Sequence, residues 1–173
     1  MTDRELLRSR IRDIADFPKP GITFKDLTPL LRDPLSLGLT LDLLTAPWRD
    51  QGITVVAGIE ARGFLLAPMV AERLGVGMVP LRKPGKLPWR TVAETYDLEY
   101  GTDTLEIHED AVTSADRVLL IDDVLATGGT AGAGIRLLRR VGAVVVGCAF
   151  VIELGFLAGR GLLDAPVTSV LEY

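Results

Sequence analysis

The chain has little of the side-chain chemistry on which many enzymes rely. Among its 173 residues Cys148 is the only cysteine and His108 the only histidine. A lone cysteine excludes an internal disulfide and a cysteine-rich metal site, and a lone histidine leaves almost no material for a serine–histidine–aspartate triad or a multi-histidine zinc site. Cys148 lies in an apolar run, so we expect a buried, unreactive thiol. We expect His108 at a strand end on the surface.

Long apolar runs and a positive net charge are also missing. No run approaches the roughly 20 apolar residues that span a bilayer, and the charged start Met1-Thr2-Asp3-Arg4-Glu5 lacks an apolar signal core. We therefore expect a cytoplasmic protein with no membrane partner. The net charge of −4 argues against nucleic-acid binding, which needs a basic face. The length and a hydrophobic share of 48% favour a single domain over residues 1–173.

The apolar pattern predicts an α/β fold. We expect strands at 53–57, 78–81, 118–121 and 143–152, and helices at 2–14, 35–44, 63–74 and 130–141. Solidly apolar strands that alternate with helices are typical of a mostly parallel, Rossmann-like sheet with helices on both faces. Ligands of such sheets bind beyond the carboxyl ends of the strands, here in the loops at 58–63 and 122–130. The polar excursion at 82–116 predicts a flexible hairpin flap.

One run of thirteen residues carries the most specific signal. Residues 118–130 read Val-Leu-Leu-Ile-Asp-Asp-Val-Leu-Ala-Thr-Gly-Gly-Thr, which is a buried strand, two carboxylates, a turn of small residues and a helix start. Glycines allow close backbone approach to an anion, and the first helical turn offers unpaired N–H groups to a phosphate. The carboxylates repel phosphate, so they suit sugar hydroxyls or a bound cation. Together they predict a ribose 5-phosphate site.

This run closely resembles the motif with which type I phosphoribosyltransferases bind 5-phosphoribosyl-1-pyrophosphate (PRPP). The resemblance implies the type I phosphoribosyltransferase fold, with a small N-terminal hood at about 1–30 and a mobile catalytic flap at about 82–107. It implies that Asp122 and Asp123 hold the ribose hydroxyls. It also implies Mg²⁺ as cofactor, bound through PRPP and water near these two aspartates, with no direct protein ligand assured. The 5-phosphate would be held by Ala126, Thr127, Gly128, Gly129 and Thr130.

Two further segments resemble the pyrophosphate-binding parts of adenine phosphoribosyltransferases. Gly58–Phe64 is similar to their pyrophosphate loop. There Arg62 would grip the leaving pyrophosphate, Glu60 and Ala61 would contact PRPP, and the peptide between Glu60 and Ala61 would be cis. Arg82–Pro88, with the residues that follow it, is similar to their catalytic loop. The catalytic residues that this resemblance adds are Lys83 and Lys86 on pyrophosphate and Glu99 and Tyr100 over the reacting centre, with Glu99 as the acid–base group.

The segment Phe17–Asp26 resembles the adenine-binding hood of the same enzymes. Phe24 would stack on the purine, backbone groups of Thr23 and Lys25 would bind the base edge, and Leu154 would pack on the other side of the base. The resemblance implies purine salvage, in which adenine and PRPP give AMP and pyrophosphate, and a homodimer. Two alternatives stay open: a phosphoribosyltransferase for xanthine, hypoxanthine or orotate, and a non-catalytic regulator that senses PRPP.

Overall fold

The protein is described by a computed structural model that covers residues 2–98 and 101–173. The chain falls into two compact units, one that ends at Leu43 and one that runs from Leu44 to Tyr173. No helix within the described residues is long and apolar enough to cross a membrane. The first unit contains α1 (Asp3–Ser9), β1 (Arg12–Ile14), β2 (Phe24–Asp26), α2 (Thr28–Arg32) and most of α3 (Pro34–Thr45).

The expected helix at 2–14 is partly wrong, because it ends at Ser9. The N–H of Arg10 closes the helix on Leu7, and Arg12–Ile14 then forms β1, which pairs antiparallel with β2. Strand pairing supplies hydrogen-bond partners for the backbone of β1, so a longer-range contact overrides the local helical pattern. The expected helix at 35–44 is confirmed by α3.

The second unit is built on a five-stranded sheet in which every neighbouring pair of strands is parallel. The order across the sheet is β4-β3-β7-β8-β9, which confirms the α/β prediction. Its elements are β3 (Val55–Ile59), α4 (Ala67–Leu74), β4 (Gly77–Leu81), β5 (Thr91–Asp97), β6 (Thr102–His108), β7 (Arg117–Leu125), α5 (Gly129–Arg140), β8 (Val144–Glu153) and β9 (Val167–Glu172).

Helices α4 and α5 cover opposite faces of this sheet. A methyl group added at Gly58 would lie 2.6 Å from Cβ of Ala67 in α4, and one added at Gly134 in α5 would lie 3.2 Å from Leu120. Gly58 is paired in register with Ile121, the neighbour of Leu120. Successive side chains of a strand point to opposite faces, so Gly58 and Leu120 belong to different faces. The expected coverage of both faces is confirmed.

The topology also fixes where a ligand can bind. From β3 the chain crosses to β4 on one side, and from β7 it crosses to β8 on the other side. Strands β3 and β7 are neighbours, so their following loops meet where the direction of crossing reverses. Such a switch point at the carboxyl edge of a parallel sheet is where ligands of these folds bind.

The expected helix at 63–74 is interrupted. A 3₁₀ turn at Arg62–Leu65 precedes α4, which has Pro68 in its first turn. Proline lacks an N–H and fits the first turn of a helix, not its interior. Gly75, with φ of 70°, ends α4 as expected.

The excursion after β4 forms the predicted hairpin, with β5 and β6 paired antiparallel from Thr91 opposite His108 to Asp97 opposite Thr102. Glu94, only 8% exposed, anchors this hairpin to α5, because its carboxylate binds Arg140 and accepts a hydrogen bond of 2.7 Å from Arg136. The hairpin is therefore fastened to the helix that follows β7.

The two scarce residue types lie where the sequence predicts. Cys148 is fully buried in β8, and burial raises the pKa of its thiol to about 12. A thiol that does not ionise near neutral pH is unreactive. His108 ends β6, and its Nε2 accepts a hydrogen bond from the N–H of Trp89 at 3.3 Å.

Replacement of Gly147 by alanine should destabilise the sheet unit. The added methyl group would overlap the ring of the buried Trp48 and lie 2.8 Å from the carbonyl oxygen of Pro166. Overpacking of this kind costs about 1–3 kcal/mol, so we expect the urea midpoint of Gly147→Ala to fall accordingly. The control is Gly77→Ala in β4, where the methyl group meets no atom within 4 Å. Equal midpoints for the two variants would contradict the packing of Trp48 on β8.

Candidate active site

The loop after β3 presents an arginine to the end of β7. The peptide between Glu60 and Ala61 is cis, as the resemblance implies. Beyond it Arg62 forms an ion pair with Asp123, whose side chain is 6% exposed whereas that of Arg62 is 53% exposed. Burial opposes the charge of Arg62, but its hydrogen bond to Asp123 and the negative charges of Asp123 and Asp122 together outweigh this, and its pKa is raised. A charged guanidinium thus stands at the switch point.

The two adjacent aspartates lie inside β7, which continues to Leu125, and not beyond its end as expected. Ladder pairing of Asp122 with Phe150 and of Val124 with Ile152 explains the longer strand. The N–H of Asp123 donates to Oδ1 of Asp122 at 2.9 Å. Burial, and next the neighbouring carboxylate of Asp123, raise the pKa of Asp122 well above its ordinary value. Asp122 therefore keeps its proton to higher pH than an exposed aspartate.

Residues 126–130 form a turn of small residues, here named the phosphate loop, and α5 begins within it. Gly128 has φ of 85°, a left-handed conformation that favours glycine. The first N–H groups of a helix have no partner within the helix, and the first turn of α5 carries no acidic residue. This arrangement favours an anion. A cleft of about 250 Å³ adjoins the loop, lined in part by Tyr96 and Asp97 of β5.

The side chain of Glu60 organises the start of the catalytic loop. Its carboxylate accepts two hydrogen bonds of 3.1 Å from the guanidinium of Arg82 and one of 2.9 Å from the N–H of Lys83. The hydrogen bond from Arg82 is the main cause that lowers the pKa of Glu60. Because its side chain is engaged in this way, Glu60 has only its backbone to offer a ligand.

Lys83 is held by two residues of the hairpin that sequence reasoning did not single out. Its Nζ binds the carboxylate of Asp103 and lies 3.3 Å from the hydroxyl of Tyr96. Burial opposes the charge of Lys83, but its hydrogen bonds to Asp103 and Tyr96 and the charges of these two groups together outweigh it, and the pKa of Lys83 is raised. The same Tyr96 hydroxyl accepts from Thr130 Oγ1 at 3.2 Å. Lys83 is thereby connected to the phosphate loop.

A signal for these two residues was present in the sequence. Tyr96 and Asp103 stand directly opposite each other in the hairpin register. Tyr96 also shares its strand face with the anchoring Glu94, two positions earlier, because side chains alternate along a strand. An acidic residue opposite a tyrosine on the inward face indicates a polar network that a lysine can join.

The remaining expected residues are placed as follows. Lys86 is exposed, and its carbonyl oxygen accepts a hydrogen bond of 3.2 Å from Arg82. Leu154 follows β8, and its N–H donates to the carbonyl oxygen of Leu125 at 2.9 Å, which puts it at the carboxyl edge of the sheet. Glu99 and Tyr100 lie outside the described residues.

The expected hood residues belong to the first unit. Phe24 lies in β2 with its ring centroid 5.2 Å from that of Phe17, in an edge-to-face arrangement. Lys25 Nζ donates to Asp13 at 2.7 Å, and Thr23, just before β2, is exposed. An aromatic pair on a short hairpin offers a flat apolar surface on which a base can stack.

Comparison with known proteins identifies the family of this chain. The family described as phosphoribosyl transferase domain matches residues 44–172. An adenine phosphoribosyltransferase of Parafrankia sp. is 58% identical over 170 residues, which are 96% of this chain and 91% of the relative.

Two solved structures are similar throughout. The adenine phosphoribosyltransferase of Rhodothermus marinus has a TM-score of 0.95 and 55% identity, and the match covers 99% of this chain and 98% of that one. The enzyme of Saccharomyces cerevisiae, complexed with an imino-altritol bisphosphate and adenine, has a TM-score of 0.93 and 38% identity, with 98% of each chain covered. With a family match over most of its length and relatives above 50% identity, this chain belongs to the adenine phosphoribosyltransferase family and has the type I phosphoribosyltransferase fold.

Proposed function

We propose that this chain transfers the 5-phosphoribosyl group of PRPP to adenine with the residues assembled at the β3–β7 switch point. The observation that carries the assignment is the ion pair between Arg62 and Asp123, which joins a pyrophosphate-type loop to an aspartate pair and a phosphate loop. Three groups thus lie together: a cation for the pyrophosphate of PRPP, carboxyl groups for its ribose, and the start of a helix for its 5-phosphate.

PRPP would lie along the carboxyl edge of the sheet. Its 5-phosphate would bind the phosphate loop, where backbone N–H groups and the hydroxyls of Thr127 and Thr130 are donors. The ribose hydroxyls would bind Asp122 and Asp123. The pyrophosphate would bind Arg62, whose planar guanidinium suits phosphate oxygens. Lys83 and Lys86 of the catalytic loop would bind it from the other side. The backbone of Glu60 and Ala61 would add further contacts.

Magnesium fits this arrangement as a companion of the substrate. Within the described residues no group of three or more histidine, cysteine or acidic side chains is placed to hold a metal, and Asp123 is already paired with Arg62. Mg²⁺ commonly keeps several waters and binds through substrate phosphates with one or two carboxylates. Asp122 and Asp123 would hold it through the ribose hydroxyls and water, and it would neutralise charge on the pyrophosphate.

Adenine would bind the hood residues. Phe24 would stack on the purine ring, and backbone groups of Thr23 and Lys25 would bind its edge. The support for adenine over other bases is the resemblance of residues 17–26 to the hood and the identity of the relatives, among them an enzyme solved with adenine.

The reaction exchanges one bond at C1 of the ribose. The C1–oxygen bond breaks, its electron pair leaves with pyrophosphate, and adenine N9 forms the new bond from the opposite face. Arg62, Lys83 and Lys86 stabilise the charge that gathers on pyrophosphate. Glu99 would take the proton that N9 loses, and Tyr100 would help to close the site against water, which would otherwise hydrolyse PRPP.

The ion pairs of the site indicate which contacts PRPP would replace. Arg62 is paired with Asp123 and Lys83 with Asp103. Pyrophosphate would take over both cations, which frees Asp123 for the ribose. The carboxylates thus keep the cations charged and in place before the substrate arrives.

The wider setting rests on family membership. We propose a homodimer that works in the cytoplasm in the salvage of adenine, with small-molecule substrates and no nucleic-acid partner. We also propose that the two units act as one phosphoribosyltransferase domain over residues 1–173, in which the first unit supplies the hood and residues 82–107 the mobile flap.

A panel of bases tests the reaction. With PRPP and Mg²⁺, pyrophosphate release should occur with adenine and not with hypoxanthine, xanthine or orotate, and chelation of Mg²⁺ should abolish it. Release with another base alone would keep the reaction class and refute the assignment of the hood. Absence of release with every base, together with PRPP binding by titration, would favour a non-catalytic PRPP sensor.

Replacement of Asp123 by asparagine tests the ribose site. Loss of a charged hydrogen-bonding group costs roughly 1.5–3 kcal/mol, so calorimetric titration should show PRPP affinity weakened about tenfold or more. The control is Asp116→Asn, just before the first residue of β7, where the carboxylate accepts from the N–H of Thr113 at 2.7 Å. Wild-type PRPP affinity in Asp123→Asn would refute the role of Asp123.

A further inference from the structure

The phosphate loop rests on a second piece of backbone that the motif does not include. Gly159 is buried, and a methyl group added there would overlap the carbonyl oxygen of Ala126 and lie 2.7 Å from the nitrogen of Gly128. A methyl group on Gly128 would in turn overlap the carbonyl oxygen of Gly159. The two backbones therefore touch directly, with no space for a side chain on either glycine.

The segment that carries Gly159 is fastened to the ends of two strands. Arg160 binds both oxygens of Glu153, the last residue of β8, with Nε 2.9 Å from Oε1, and its Nη1 donates to the carbonyl oxygen of Val167 at 2.7 Å. Ser169 in β9 donates to the same carboxylate at 2.6 Å. Glu153 is 5% exposed, and the hydrogen bond from Arg160 is the main cause that lowers its pKa. A buried carboxylate that remains ionised makes this a firm attachment.

We infer that Gly159 and Arg160 are positioning residues for the 5-phosphate of PRPP. Neither residue belongs to the phosphate loop itself. Gly159 sets the position of the backbone at 126–128, and Arg160 fixes Gly159 to the sheet through Glu153 and Val167. The inference rests on the proposed function, because it assigns the phosphate loop to the 5-phosphate.

The geometry predicts an effect on one end of the substrate only. The phosphate loop would bind through backbone N–H groups, whose directions follow the path of the chain, and loss of one hydrogen bond to a charged phosphate weakens binding about tenfold or more. The cations proposed for pyrophosphate, Arg62 and Lys83, are held by Asp123 and Asp103. Both cations lie in the loops after β3 and β4, whereas Gly159 and Arg160 lie between β8 and β9, so the affinity for pyrophosphate should be unaffected.

The test is Gly159→Ala against Gly161→Ala, two glycines of the same 3₁₀ turn. A methyl group at Gly161 meets no atom within 4 Å. This control therefore adds the same methyl group without a clash against the phosphate loop. Calorimetric titration with ribose 5-phosphate should show affinity weakened about tenfold or more in Gly159→Ala. Titration with pyrophosphate and Mg²⁺ should give wild-type affinity in both variants, and Gly161→Ala should bind both ligands as wild type.

Arg160→Lys gives a second measurement if Gly159→Ala does not fold. It keeps the charge and loses the fork to Glu153 and Val167, so ribose 5-phosphate affinity should fall while pyrophosphate affinity holds. Arg139→Lys is its control, because Arg139 also binds a carboxylate, that of the exposed Asp164 at 2.5 Å. Wild-type ribose 5-phosphate affinity, or equal loss for both ligands, would overturn the inference. Failure of the wild-type protein itself to bind ribose 5-phosphate would refute the proposed function as well.

Discussion

The ion pair between Arg62 and Asp123 is the interaction on which the arrangement of this site depends. It exists because β3 and β7 are parallel neighbours in register from Val55 opposite Val118 to Gly58 opposite Ile121. Because of that register, the loop after β3 lies next to the aspartates in β7. If the strands were separated or shifted, the arginine and the carboxylates would not meet, and the phosphate loop would stand alone as a helix start with no sugar site beside it.

Around this pair the protein neutralises three cations internally. Asp123 holds Arg62, Asp103 holds Lys83, and Glu60 holds Arg82. Three closely placed cations would otherwise repel one another, and the hydrogen bonds also fix their side chains before a ligand binds. An anionic substrate can then exchange with carboxylates at little ordering cost, because the cations are already charged and oriented.

Local sequence was enough to predict β3, β4, β7, β8, the hairpin and the turn of small residues at 126–130, since each follows from apolar runs, glycines and charges over a few neighbouring residues. Arg62 was expected only from the family resemblance of its loop. The features that local sequence did not predict depend on contacts between residues that are far apart in the chain. The helix expected at 2–14 ends early because Arg12–Ile14 pairs with Phe24–Asp26. Strand β9 was not expected, and it is defined by pairing with β8. Asp103 and Gly159 belong to no recognisable sequence motif. Only the fold reveals that Asp103 binds Lys83 and that Gly159 packs against the phosphate loop.

The most direct test is a crystal structure of this protein with PRPP and Mg²⁺ in the absence of adenine. The account predicts that Arg62 will have left Asp123 for the pyrophosphate, that Asp123 will bind the ribose hydroxyls, and that the 5-phosphate will lie on the N–H groups of residues 126–130. An Arg62–Asp123 ion pair that persists with PRPP bound, or a 5-phosphate placed away from the phosphate loop, would contradict it.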